Sequence, residues 1–372
     1  MADLRWAILG TGRIAAGVLP RLSRSTGNIV VAVASRDRVR AQELCDRASA
    51  SADCAPVALE YEEIAGRAGI DAVYVTLPNS LHAEWSLRLL ESGKHVLCEK
   101  PLCATRAEAE RLATAARKAG RLCVEGFMYM HHPQTARLVE LARGGSPIGA
   151  VRLIRSNRNV CNRDPYILSS RLNHSLRGGA LMDIGCYPLS LALLVMGGAP
   201  EWSSLRASAE LGRWVGGPSG GCIEKENGER VWIGERGGVR ADFLSESAEG
   251  LVDESCSFSF SFPSGTRFEG ECSFTKGAAD GASVFFEMIG ERGRAYTTHP
   301  FSPDPDRQVL LVESDGKSTE EVFERGGDKF VNQFERFARA ARGEVAALPS
   351  MDWSLIEAEA IERIHSAVGV RW

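Results

Sequence analysis

Three small residues near the start of the chain restrict its fold more than any other feature. The apolar run Leu4-Arg5-Trp6-Ala7-Ile8-Leu9 ends in Gly10, Gly12 follows two residues later, and Ala15 three after that. This is the G-x-G-x-x-A spacing of a strand that turns tightly into a helix. Gly10 permits the turn, Gly12 lets a pyrophosphate approach the backbone, and Ala15 lets helix and strand pack closely. The free N–H groups and dipole of the helix then hold the anion. Alone, the pattern fits a dinucleotide site or no more than a tight turn. Its position after an N-terminal strand, with a second strand at the right distance, favours the dinucleotide site.

That second strand is Ile29-Val30-Val31-Ala32-Val33-Ala34, a continuous apolar run of the kind buried in parallel sheets. Its end is where a dinucleotide fold meets the adenosine ribose, and an NAD site usually places a carboxylate there. Here the residues are Ser35 and Arg36. A hydroxyl with a guanidinium suits a 2′-phosphate, so the expected cofactor is NADP(H) in preference to NAD(H). Asp37 comes one or two residues late and reads as the cap of the next helix.

Short buried strands then alternate with helices. Strand-like runs cover 71–78, 94–101 and 121–125, and Thr105-Arg106-Ala107-Glu108 is a capping box opening the helix between the last two. This alternation argues a doubly wound parallel sheet over 1–125. Past Gly126 it stops, so 126–372 reads as a second domain. A strand-like piece spans 150–155. Cys256, Phe258, Phe260 and Phe262 alternate with serines, Pro263-Ser264-Gly265 turns, and Phe268, Gly270, Cys272 and Phe274 alternate with polar residues. That is an antiparallel hairpin with one wet and one dry face. Phe330, Phe334, Phe337 and Ala341 share a helical face, and a last helix covers about 352–368. Residues 212–247, rich in Gly, Glu, Arg and Ser, read as an insertion with a hairpin around Asn227-Gly228. Within it, 217–221 matches G-x-S-x-G but lacks the strand-then-helix setting of a nucleophile elbow.

Charge and composition exclude several classes. The net charge is −4 with no basic block, which argues against nucleic acid and anionic membranes. The apolar run near 189–196 is too short to span a bilayer, and no leader precedes the first strand; a soluble cytoplasmic protein is expected. The ten cysteines form no C-x-x-C pair and read as buried thiols. The seven histidines show no metal-ligand spacing, so no metal is expected.

Four blocks, in order, resemble the Gfo/Idh/MocA oxidoreductases. They are Gly10 to Ala15; Thr76-Leu77-Pro78-Asn79 with His82; Gly93 to Pro101, ending in Glu99-Lys100-Pro101; and Gly178 to Pro188, containing Asp183 and Tyr187. Glu125 to Tyr129 and His132-Pro133-Gln134 look like the dimeric dihydrodiol dehydrogenases and NADP-dependent D-xylose dehydrogenases within that family. The resemblance implies an α/β protein: an N-terminal Rossmann domain, then an α+β domain with a large, mostly antiparallel open sheet that pairs subunits as a homodimer or homotetramer. It implies NADP(H) contacts from Gly10, Thr11, Gly12, Arg13, Ile14, Ser35, Arg36, Leu77, Pro78, Asn79, His82, Glu99 and Lys100, often with a cis bond before Pro101. Lys100 would lie near the nicotinamide, with Asp183 and Tyr187 on the helix that opens the second domain.

The implied activity is hydride transfer between nicotinamide and a C–OH of a sugar, polyol or cyclic diol. Alternatives are a sugar–sugar exchange on tightly bound NADP(H), or a non-catalytic NADP(H) sensor. Asp183 and Tyr187 stand at i and i+4, on one face of a helix. A lysine ammonium lowers the pKa of a nearby phenol, so Tyr187 can take the alcohol proton; Lys100 itself is the other candidate. Asn162, Tyr166 and Arg171 precede the glycine turn and are candidate substrate ligands. Where the family has three glycines, this chain has Arg177-Gly178-Gly179.

Overall fold

The computed structural model describes residues 3–49, 55–143, 146–161, 164–217, 220–234, 250–276 and 283–372. They form two compact units. The first is Met1–Ala136 with Pro303–Arg307 and Glu324–Leu355; the second is Arg137–Ser302 with Gln308–Phe323 and Ile356–Trp372.

The first unit holds β1 (Leu4–Leu9), α1 (Arg13–Ser23), β2 (Asn28–Ala34), α2 (Arg38–Ser49), β3 (Val57–Leu59), α3 (Tyr61–Gly66), β4 (Ala72–Val75), α4 (His82–Glu91), β5 (His95–Glu99), α5 (Arg106–Ala119) and β6 (Cys123–Gly126). The strands lie in the order β3-β2-β1-β4-β5-β6, every pair parallel. The chain reverses direction across the sheet between β1 and β4, which opens a crevice at the strands' carboxyl ends. The expected capping box at the start of α5 is present, with Thr105 Oγ1 accepting from the Glu108 N–H.

The core of this unit is completed from far along the chain. After α6 (Pro133–Leu141), β7 (Val151–Asn159), α7 (Pro165–Arg171), α8 (Cys186–Met196) and a run of further strands, α9 (Lys329–Ala341) belongs to the first unit again. Its apolar face packs Phe334 and Phe337 on Trp6, with ring centroids 5.7 and 4.8 Å away, and Phe334 on Tyr74 at 5.5 Å. The Asp328 side chain caps α9 by accepting from the Phe330 N–H.

The second unit is built on one ten-stranded sheet. Its strands are β8 (Glu201–Gly217), β9 (Gly220–Lys225), β10 (Arg230–Gly234), β11 (Val252–Ser261), β12 (Arg267–Ser273), β13 (Ser283–Gly290), β14 (Gly293–Thr298), β15 (Arg307–Ser314) and β16 (Lys317–Glu324), with β7 in the middle. The order is β10-β9-β8-β11-β12-β7-β13-β14-β15-β16. The β7–β12 pair is parallel, and the other pairings with a described register are antiparallel. β11 and β12 are the expected hairpin: Phe258, Phe260 and Phe268 are buried on the dry face, while Ser257 is exposed. α10 (Met351–Ala367) is the last helix.

The hairpin expected at Asn227-Gly228 forms between β9 and β10 and extends the edge of this sheet. Gly212 lies inside β8, so the insertion begins mid-strand. The rest of it, 235–247, falls outside the described residues. In the G-x-S-x-G stretch, Gly217 ends one strand and Gly220 begins the next, and Pro218 and Ser219 lie outside the described residues.

One helical stretch, His174–Met196, is long and apolar enough by composition to cross a membrane, so the apolar segment is longer than the sequence run suggested. Burial of 83% of its apolar window inside the fold accounts for that composition. Among the described residues, nine cysteines are free thiols, and no group of three His, Cys, Asp or Glu could hold a metal.

Candidate active site

At the carboxyl end of β1, Gly10 has φ +115°, and a Cβ there would lie 2.6 Å from Thr76 Oγ1. Only glycine fits so close to the end of β4. At Gly12 a Cβ would meet nothing within 4 Å. Among the described residues, the α1 N-terminus has no side-chain cap and no acidic residue in its first turn, which suits an anion. Ala15 is fully buried between helix and sheet. The residues thus fit a dinucleotide diphosphate.

At the end of β2, Thr11 Oγ1 and Ser35 Oγ are 3.3 Å apart, and Ser35 Oγ accepts from the Asp37 N–H at 3.2 Å. The Asp37 carboxylate accepts from the Val39 N–H at 2.9 Å, so it is engaged at the start of α2 as expected of a cap. Arg36 is exposed and hydrogen-bonds Tyr61; Arg40 also acts on that hydroxyl. Burial pushes the Tyr61 phenol up, and the two guanidiniums oppose that rise.

β5 ends at Glu99, and the following Lys100–Pro101 bond is cis. Several buried groups hold this turn. Glu99 accepts from the Tyr74 hydroxyl. His82, only 1% exposed, sets Nδ1 2.7 Å from the Pro101 carbonyl oxygen and Nε2 2.8 Å from that of Leu77. His82 therefore ties the turn after β4 to the turn carrying Lys100. Glu125, also buried, accepts from the Leu102 N–H and the Ser354 hydroxyl, both at 2.7 Å. The His82→Leu variant removes the ring N–H that a buried carbonyl accepts, at about 1–3 kcal/mol. Urea unfolding is expected to show that loss together with weaker cofactor binding; unchanged stability would mean the brace is dispensable.

In the second unit, the Arg177-Gly178-Gly179 turn leads into a π-helical turn, Leu181–Gly185, and then α8. Arg177 adopts φ +52°, in the left-handed region that favours glycine. Gly179 has φ +111°, and a Cβ there would lie 2.2 Å from Asp253 Oδ1. Asp253 Oδ2 in turn accepts from the Leu181 N–H at 2.6 Å. Asp183 lies within the π-turn, so its i, i+4 spacing to Tyr187 does not run along a uniform α-helix. Its Oδ2 is 3.1 Å from Arg171 Nε, so Arg171 is engaged with the candidate carboxylate. Tyr187 is 5% exposed and packs on Phe301 with centroids 5.5 Å apart. Asn162 lies outside the described residues, and so does the side chain of Tyr166 on α7.

The pattern describing the oxidoreductase family with an NAD-binding Rossmann fold matches residues 4–127, and that of the Gfo/Idh/MocA C-terminal domain matches 140–296. The chain belongs to the Gfo/Idh/MocA oxidoreductase family. An uncharacterized oxidoreductase of Rhizobium meliloti is 30% identical over 95% of this chain and 93% of its own length. A D-xylose 1-dehydrogenase (NADP⁺) of Haloferax volcanii is 38% identical, but over only 52% of this chain and 58% of that enzyme. Among solved structures, a 3-ketoreductase from Actinomadura kijaniata in complex with NADP and TDP-benzene aligns with a TM-score of 0.77 and 26% identity, over 98% of both chains. As a Gfo/Idh/MocA member, the chain has an NAD(P)-binding Rossmann domain.

The sequence reading of this Gfo/Idh/MocA chain missed several residues at the site. Arg40 and Tyr61 join Arg36 at the end of β2. Arg36 precedes the Asp37 cap while Arg40 lies in the first turn of α2, so no single-helix spacing links them in the sequence. Glu125 was noted only as part of a motif; its role on the Lys100 turn needs the fold. Arg158 stacks on Tyr187 with Cζ 4.0 Å from the ring centroid.

Proposed function

We propose that the chain transfers a hydride between NADP(H) and a C–OH of a sugar or related polyol or cyclic diol, with NADP(H) preferred over NAD(H). The observation that carries this reading is the Lys100 turn, held by His82, Glu99 and Glu125 at the carboxyl ends of the parallel strands, where dinucleotide folds do their chemistry. Relatives named as a xylose dehydrogenase and a 3-ketoreductase support a sugar-like substrate.

When bound, the nicotinamide supplies or accepts the hydride. The residues of this chain do the rest. The open backbone at Gly12 and the uncapped α1 terminus hold the diphosphate; Ser35, Arg36 and Arg40 receive the 2′-phosphate. Lys100 donates to the substrate oxygen. In the oxidative direction Tyr187 accepts the hydroxyl proton as the carbonyl forms, and Asp183, fixed by Arg171, orients the reacting group.

A screen decides the activity. NADP⁺ reduction would be followed with aldoses, inositols and dihydrodiols, and NADPH oxidation with keto-sugars. Turnover of at least one sugar class, faster with the phosphorylated cofactor, is expected. Tight NADPH binding with no turnover of any class would favour a sensor instead. For the cofactor, Arg36→Ala is expected to weaken NADP(H) roughly 10- to 100-fold, the loss of one charge-assisted contact, with little effect on NAD(H). Calorimetric titration of both cofactors would measure this, and equal losses would reject the 2′-phosphate role.

A further inference from the structure

We propose that Arg158 is a positioning residue for the proton transfer assigned above to Tyr187: stacked on the tyrosine, its guanidinium fixes the ring and serves as counter-charge to the phenolate. The inference rests on that assignment, but the second unit alone supplies its observations.

Along β7, Ile154, Ser156 and Arg158 share one face, and Ile154 and Ser156 are buried. The sheet partners of Arg158 are Cys272 on β12 and Val284 on β13. Against that same Cys272 the π-turn packs so closely that a Cβ on Gly185 would lie 2.5 Å from its Sγ. Arg158 therefore sits beneath the helix that carries Tyr187. Its Cζ is 4.0 Å from the Tyr187 ring centroid and 5.8 Å from that of Phe301.

Among the described residues no carboxylate is found paired with Arg158. Its Nε and Nη1 are buried and have no hydrogen-bond partner among them. Nearby arginines differ: Arg155, on the opposite face of β7, pairs with Glu269 at 3.0 Å, and Arg171 pairs with Asp183. A guanidinium partly withdrawn from water without a carboxylate carries a cost, and the ring face offsets only part of it. A phenolate on the same ring offsets more. Other ionisable groups described around the helix are engaged elsewhere. Asp183 on the π-turn is held by Arg171; Asp253 on β11 accepts from Leu181 and faces His365 on α10 at 3.4 Å. Cys272 is kept protonated by burial, and Cys186 lies beside it.

The sign follows directly. An adjacent cation favours the ionised phenol, so its pKa falls toward the working pH, where a general acid–base is most effective. In the reductive direction the hydride reaches the carbonyl carbon, the Tyr187 O–H bond breaks, its proton goes to the carbonyl oxygen, and the phenolate is left opposite Arg158 until solvent reprotonates it.

The test is a tyrosinate absorbance titration. Subtracting the Tyr187→Phe curve isolates this residue among the six tyrosines. Arg158→Met is expected to raise the Tyr187 midpoint by about one unit or more, and Arg158→Lys to raise it less. The pH profile of kcat/KM should move by the same amount, with NADPH affinity unchanged. An unshifted midpoint in folded Arg158→Met overturns the proposal, and so does a lysine variant indistinguishable from methionine. If Arg158→Met does not fold, Arg158→Lys decides: a smaller upward shift supports the counter-charge, and none rejects it. A shifted midpoint with an unmoved rate profile overturns instead the proton-transfer assignment, and with it the catalytic use of Arg158.

Discussion

Replacing Lys100 with methionine is expected to lower kcat by about 10³-fold or more, and Tyr187→Phe by roughly 10²–10⁴-fold, the range for a positioned acid or base. Methionine keeps the length and apolar stem of lysine but removes the ammonium, and with it both a donor to the substrate oxygen and a stabilising charge. Phenylalanine keeps the packing on Phe301 and Arg158 and removes only the hydroxyl. Cofactor affinity should change little in either variant. The double variant should be hardly worse than the worse single one, because groups acting as a unit are not additive. If Tyr187→Phe keeps near-wild-type kcat while Lys100→Met is inactive, the proton belongs to Lys100. Normal turnover in both would place the chemistry elsewhere.

The largest expected loss of stability lies in α9. Phe334 is fully buried between Trp6 and Tyr74, so Phe334→Ala should cost about 3–5 kcal/mol, in lost transfer energy plus a cavity. The consequence reaches the site, because Tyr74 also donates to Glu99, the residue before Lys100. Urea unfolding followed by Trp6 fluorescence should show an earlier transition, and NADPH titration a weaker site. A variant with an unchanged midpoint would mean that α9 is an accessory to this core.

Five of the six strands of the first unit could be read from the sequence because most are continuous runs of apolar, often β-branched residues, as strands buried on both faces must be; the three residues of β3, Val57–Leu59, are too short a run to stand out. The glycine turn was legible because its backbone geometry admits few alternatives. The destination of α9 was not. The spacing of Phe330, Phe334 and Phe337 shows that a face is buried but not against what, and the answer lay more than 300 residues away in sequence, at Trp6. Arg158 was missed for another reason. The sequence marks a strand over 150–155, whereas β7 runs through Asn159. Its last residues, Ser156-Asn157-Arg158-Asn159, have weak strand preference and are held by pairing with β12 on one side and β13 on the other. The π-turn leaves no mark in the hydrophobic pattern at all.

That turn carries a consequence for how such a site can change by mutation. A π-turn accommodates an extra residue relative to the α-helix around it. Removing one residue between Asp183 and Cys186 would let the segment close up as α-helix while the chain on either side keeps its register. Asp183 would then stand three rather than four residues before Tyr187, re-aimed within the turn while the glycine turn and α8 stay in place. The bearing of the carboxylate is therefore encoded in residue count as well as residue identity. Substitution libraries leave that count untouched, and single-codon deletions within the turn are the route by which a lineage, or an engineer, would re-aim the carboxylate.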